Sequence, residues 1–163
     1  MIKKMMLITI GLLLSVGVVA CSRESKAAPD GPGKLIQIDY ATFTKMKEEK
    51  DTFLVIISLE GCSYCEELKE TILNPFLSDV GAQLYEFNIS NESSDEKYQL
   101  AVEGLEKEFA EVRYGEGKGF QGTPTTVVYE GGERVEYFVG NQDLSIERFE
   151  ELRSAYELNM SEE

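Results

Sequence analysis

Two cysteines three residues apart, Cys62 and Cys65, stand between an apolar run at residues 53–57 and an amphipathic helical pattern. No other feature narrows the possible folds of this chain as much. At a strand-to-helix junction the first sulfur lies beside the unpaired N–H groups of the helix's first turn, whose partial positive charge favours thiolate over thiol. The second sulfur then lies one helical turn on, within reach of a disulfide. Half a zinc site has the same spacing, but zinc takes about four ligands. Apart from Cys21 the chain has no further cysteine and no histidine, so neither a zinc nor a copper site is expected. The cysteine pair carries electrons itself, and no organic cofactor is implied.

With 163 residues, 42% of them hydrophobic and 10% aromatic, the chain can build one compact domain with a real core. Residues 1–20 form a short basic start at Lys3 and Lys4 followed by an apolar stretch ending in small residues, the pattern of a secretory signal. Val18-Val19-Ala20-Cys21 resembles the cleavage and lipidation box of bacterial lipoproteins, which implies that Cys21 becomes the lipidated first residue of the mature chain. Residues 21–33 are polar, with Pro29, Gly31, Pro32 and Gly33, and are expected to act as a tether. Its root-mean-square reach is about 20 Å, which keeps the domain at residues 34–163 close to the membrane. The expected location is the extracytoplasmic face of a bacterial membrane, where disulfides persist. The formal charge of −14 becomes −16 once residues 1–20 are removed, leaving 14 basic against 30 acidic side chains. Such a surface repels phosphate backbones, so no nucleic-acid partner is expected.

Along the domain, residues 35–38 read as a strand and Asp39 as the cap of a helix carrying Phe43 and Met46. Residues 53–58 are apolar without alternation, as in a strand buried on both faces. Cys65, Leu68, Ile72, Leu73 and Phe76 fall at helical spacing, in a helix that Pro75 should end or bend. A third strand is expected at residues 83–89, and a capping box at residues 93–96 opens a helix with Tyr98, Ala101, Val102, Leu105, Phe109 and Val112 on one face. Residues 114–122 hold four glycines without the Lys-Ser/Thr ending of a P-loop, and are expected to be a mobile surface loop. Residues 125–129 and 134–139 flank Glu130-Gly131-Gly132-Glu133, a hairpin signal, and Ser145 caps a last helix.

That order, with Cys62-Ser63-Tyr64-Cys65 at the first helix start and Gly122-Thr123-Pro124 before the hairpin, resembles the thioredoxin superfamily over residues 34–158. The resemblance implies a single α/β domain with a central mixed sheet flanked by helices. It further implies a cis Pro124 lying against the redox cysteines, and a Thr123 backbone that hydrogen-bonds an extended substrate segment. The chain departs from the family at three points. Gly61 stands where a tryptophan is usual, Ile56 where a buried carboxylate accepts the second thiol's proton, and Glu70 near the place of a helix-kinking proline. With the signal, these departures look more like a membrane-anchored thioredoxin-like protein, including those of the bacteriocin transport accessory type. The expected function is an extracytoplasmic thiol–disulfide oxidoreductase, with Cys62 attacking and Cys65 resolving. Its partners would be protein thiol or disulfide substrates and a redox partner protein, met by a monomer. The alternative is a non-catalytic accessory or chaperone lipoprotein in which Cys62–Cys65 is a static disulfide. Glu60, Glu66 and Glu67 put negative charge beside Cys62, so the pair is expected to be less oxidising than the strongly oxidising disulfide oxidases.

Overall fold

The run at residues 53–58 forms β2 (Phe53–Ser58), and all six residues are buried, as strands covered on both faces must be. Around it the sheet has the order β1-β3-β2-β6-β7, with β1 (Lys34–Ile38) and β3 (Gln83–Asn88) parallel to β2. β6 (Thr125–Glu130) and β7 (Glu133–Val139) complete it antiparallel. This is the mixed sheet flanked by helices that the family resemblance implies. The computed structural model describes residues 33–80 and 82–158, so the expectations for the signal, for Cys21 and for most of the tether lie outside the described residues.

Because side chains alternate along β2, its two faces feed two separate cores. Phe53, Val55 and Ile57 pack with Phe43, Phe87, Leu105, Phe109, Val127 and Tyr129 beneath α1 (Tyr40–Glu48) and α4 (Asp95–Glu108). Leu54 and Ile56 pack with Leu68, Leu73, Phe76, Leu84, Val128, Phe149 and Leu152 beneath α2 (Ser63–Leu68), α3 (Asn74–Val80) and α5 (Ile146–Ala155). Asp39 caps α1 by accepting the Thr42 N–H at 2.8 Å, and Ser145 caps α5 through the Arg148 N–H at 3.2 Å, both as the sequence predicts. Gly131 and Gly132 turn the β6–β7 hairpin with φ of 59° and 80°, the left-handed values that a two-residue turn of this type demands.

The structure corrects two expectations and narrows a third. Of the two outcomes expected at Pro75, an end or a bend, the helix does not end: a π-helical turn at Lys69–Leu73 joins α2 to α3, and the chain stays helical to Val80. The wider turn lies just upstream of Pro75, where an α-helical ladder would need the N–H that proline lacks. The cap of α4 is Ser94, whose hydroxyl accepts the Lys97 N–H, so Glu96 is not the reciprocal partner of a capping box. Finally, the glycine-rich segment holds a small hairpin of β4 (Arg113–Tyr114) and β5 (Gly117–Lys118), closed at its base by the Gly119 N–H to the Val112 carbonyl. Gly115, at φ 57°, makes the tight reversal possible.

Candidate functional site

β2 ends at Ser58, and the chain turns through Leu59, Glu60 and Gly61 into α2, with Gly61 at φ 74°. A left-handed residue at that point lets the chain reverse from the strand end into the helix within four residues. Cys62 therefore becomes the N-cap of α2, and its sulfur accepts the Cys65 backbone N–H at 3.2 Å. A hydrogen bond and the helix's positive end both act on that sulfur, favouring its ionised form on reduction. Cys62 is half-buried, whereas Cys65 is 1% exposed. The two sulfurs stand 2.12 Å apart as a disulfide, with Cα atoms 5.2 Å apart. Tyr64 projects from between them, exposed at 61%.

The Thr123–Pro124 peptide is cis, and the Thr123 carbonyl oxygen lies 3.5 Å from the Cys62 sulfur. Pro124 is buried, and its own carbonyl accepts the Gly140 N–H at 2.8 Å, which ties the segment to the far end of β7. All four residues singled out by motif are thus brought together: Cys62, Cys65, Thr123 and Pro124. Cys21 lies outside the described residues. Among the described residues no cluster of potential metal ligands occurs.

The acidic rim is partly occupied. Glu67 accepts a hydrogen bond from the Asn141 side chain at 2.8 Å, and Glu66 faces Lys69 at 3.6 Å. Beneath that rim is a group that motif reasoning missed. Glu86 of β3 sits beside Ile56 in the parallel ladder, on the α2 side of the sheet, and is 1% exposed. Its carboxylate accepts from the Ser58 hydroxyl and the Gln37 amide, and pairs with the Lys69 ammonium at 2.7 Å. Burial works to lower the affinity of the Lys69 ammonium for its proton, but the hydrogen bond and charge of Glu86, with Glu66 beyond, outweigh it and hold its pKa above the usual lysine value. The one available sequence signal was a glutamate set among Leu84, Tyr85 and Phe87 in a strand that is otherwise apolar at its centre.

Comparison with known proteins bears on the fold that carries this site. The family described as "Thioredoxin-like domain" matches residues 40–155. A structure titled "DsbH Oxidoreductase" superposes with a TM-score of 0.52 at 16% identity, covering 83% of this chain and 93% of its own. A thioredoxin variant from Halobacterium salinarum gives a TM-score of 0.47 at 22% identity, covering 80% of this chain and 95% of its own. Thioredoxin from Aeropyrum pernix gives 0.49 at 19% identity, covering 71% and 82%. At these identities the likeness concerns the fold. No curated protein matches the sequence.

Proposed function

We propose that this protein, which belongs to the thioredoxin-like domain family, is an extracytoplasmic thiol–disulfide oxidoreductase acting on protein substrates. The fold and a cysteine pair at bonding distance support thiol–disulfide exchange in general terms. The observation that carries the finer reading is the inequality of the two sulfurs. Cys62 caps a helix, receives a backbone N–H and is half-buried beside Thr123, whereas Cys65 is sealed from solvent. Cys62 is therefore the attacking sulfur and Cys65 the resolving one. In the reducing direction the Cys62 thiolate attacks a substrate disulfide, displacing one substrate sulfur as a thiolate and forming a mixed disulfide. Cys65 then attacks Cys62, releasing the second substrate sulfur and closing the Cys62–Cys65 bond. The oxidising direction is the same sequence reversed.

The Thr123 backbone, at the entrance to β6, supplies hydrogen-bonding groups for an extended substrate segment laid across the Cys62 sulfur. The acidic rim of Glu60, Glu66 and Glu67 opposes the helix end, and we place the reduction potential below the value of about −120 mV found in strongly oxidising disulfide oxidases. The signal-like residues 1–20 and the lipoprotein-like box at Cys21 support a membrane-anchored, extracytoplasmic location. Turnover of insulin disulfides tests the reaction directly. Cys62→Ser should abolish it, and Cys65→Ser should accumulate mixed disulfides with substrate. Wild-type turnover in both variants, or adducts forming only on Cys65, would overturn the assignment. Loss of metabolic palmitate labelling in Cys21→Ser tests the anchor.

A further inference from the structure

The loop that delivers Cys62 from β2 into α2 has few holds of its own. Leu59 packs against the α1/α4 core, but the Glu60 side chain is exposed and Gly61 has none. Nothing lies within 4 Å of the place where a Gly61 Cβ would stand. Among the described residues, residues 59–61 make one hydrogen bond to a side chain: the Glu60 backbone N–H donates to the Ser90 hydroxyl oxygen at 3.0 Å.

Ser90 is a firm point from which to hold that loop. Asn88 stands opposite Ser58 in the parallel ladder, so the chain leaves β3 beside the place where the Cys62 loop leaves β2. Ser90 is the middle residue of a single 3₁₀ turn, Ile89–Asn91, that follows at once. The Asn88 side chain accepts the Ser90 N–H at 3.0 Å, and Ile89 is buried in the α1/α4 core. Just beyond the turn, the Glu92 carboxylate accepts the Tyr40 N–H of α1 at 2.7 Å. The turn is thus fixed on three sides, and its hydroxyl reaches across to the loop.

That hold counts more in one redox state than in the other. In the disulfide, the bond to Cys65 fixes the Cys62 sulfur whatever the loop does. Once the bond opens, the sulfur stays beside the Cys65 N–H and the Thr123 carbonyl only if the backbone entering Cys62 stays in place. A sulfur that swings away loses the donor that favours its thiolate. We infer that Ser90 is a positioning residue for Cys62: by holding the Glu60 amide, its hydroxyl keeps the attacking sulfur at the cap of α2 in the reduced protein. This rests on the dithiol reading above. The bond lies at the surface, so water takes over the Glu60 N–H when the hydroxyl is removed, and folding stability changes little.

The test mixes fully reduced protein with an aromatic disulfide reagent at neutral pH. The Cys62 thiolate bonds to one reagent sulfur, and the other departs as a coloured thiolate whose first release reports the attack. Ser90→Ala should slow that release by about fivefold, the effect of one ordinary hydrogen bond. Equilibration with glutathione should shift by about the same factor toward the Cys62–Cys65 disulfide, because only the reduced form loses its hold. Ser90→Thr keeps the hydroxyl and should restore both, while the urea midpoint of the oxidised Ser90→Ala protein should stay at the wild-type value. Wild-type release and equilibrium in Ser90→Ala would overturn the inference. A Ser90→Thr protein as slow as Ser90→Ala would overturn it too, as would a urea midpoint that falls along with the rate. A reduced wild-type protein that gives no release, or a Cys62→Ser protein that gives it at the wild-type rate, would instead defeat the dithiol reading itself.

Discussion

The two faces of the sheet each carry a lysine–glutamate pair, and they use it in opposite ways. On the α1/α4 face, Lys47 pairs with Glu108 at the edge of an aromatic cluster, both side chains a little over a fifth exposed. The Tyr129 hydroxyl donates to the same carboxylate at 3.0 Å, and the Lys47 ammonium lies 5.5 Å and 5.2 Å from the Phe43 and Tyr129 ring centres. Burial first, and then the Glu108 charge, push the Tyr129 phenol well above its ordinary range, so it remains a donor. Beneath the pair, Phe43 packs against Phe87, Phe53, Tyr129 and Tyr40 at centroid distances of 5.6–6.4 Å, Tyr129 the nearest and Phe53 the farthest. On the α2/α3/α5 face the carboxylate goes into the interior instead, and Glu86 displaces apolar volume beside the redox helix. A pair at a rim adds to a core already complete, whereas a pair inside one takes the place of packing. The first face is arranged for stability, and the second gives some up near the cysteines.

The largest expected effect lies on the aromatic face. Phe43→Ala removes the central ring of that cluster, at 2% exposure, and should cost about 3–5 kcal/mol in denaturant unfolding while leaving the Cys62–Cys65 potential unchanged. A shift in potential would show that the two faces are not independent. On the other face, Glu86→Leu should cost about 2 kcal/mol by stranding Lys69, Ser58 and Gln37, and adding Lys69→Met should recover most of it. Additive losses in a double-mutant cycle would refute the idea that this pair is retained at the expense of packing. The folded-state pKa of Lys69 is raised, so its contribution is fully present below the unfolded lysine value of 10.5 and disappears only as pH rises through the higher folded value.

Smaller effects sharpen the contrast. Lys47→Met should cost about 1 kcal/mol, because a rim pair is partly screened and its alkyl stem stays packed on the rings. A loss as large as that of Glu86→Leu would erase the distinction between rim and interior. The helix caps differ in the same sense: α1 is capped by a carboxylate and α2 by the sulfur of Cys62. Asp39→Ala should cost about 1 kcal/mol at neutral pH, read from urea unfolding. The hydrogen bonds from Thr42 hold the Asp39 carboxyl below its usual 3.8, so this contribution is present above that value and lost as pH falls through the lower folded value. Wild type and variant should converge once pH has fallen below that lower folded value, and a difference that persisted there would mean that the cap acts through packing instead.

Much of this protein is legible in one dimension because its signals are local. The unbroken apolar β2, the helix starts at Asp39 and Ser145, the double-glycine turn and the Cys62–Cys65 spacing depend on neighbours a few residues away. Where competing local signals are close in strength, the folded chain chooses between them: Ser94 rather than Ser93 caps α4, and a π-helical turn carries the chain through Pro75. The glycine-rich segment hid a hairpin because two-residue strands have no periodicity to detect.

The redox motif and the strand-helix order were set by the sequence alone, since alternation and spacing settle which residues can share a face. Which charged residue would be buried beneath the motif was decided only in three dimensions. Glu86 meets Gln37 across 49 residues and Ser58 across 28, contacts that arise from the parallel register of β1, β3 and β2. A residue of that register carries no mark in its own neighbourhood, because strand pairing is a property of the closed sheet and the carboxylate's partners come from separate elements brought together by it.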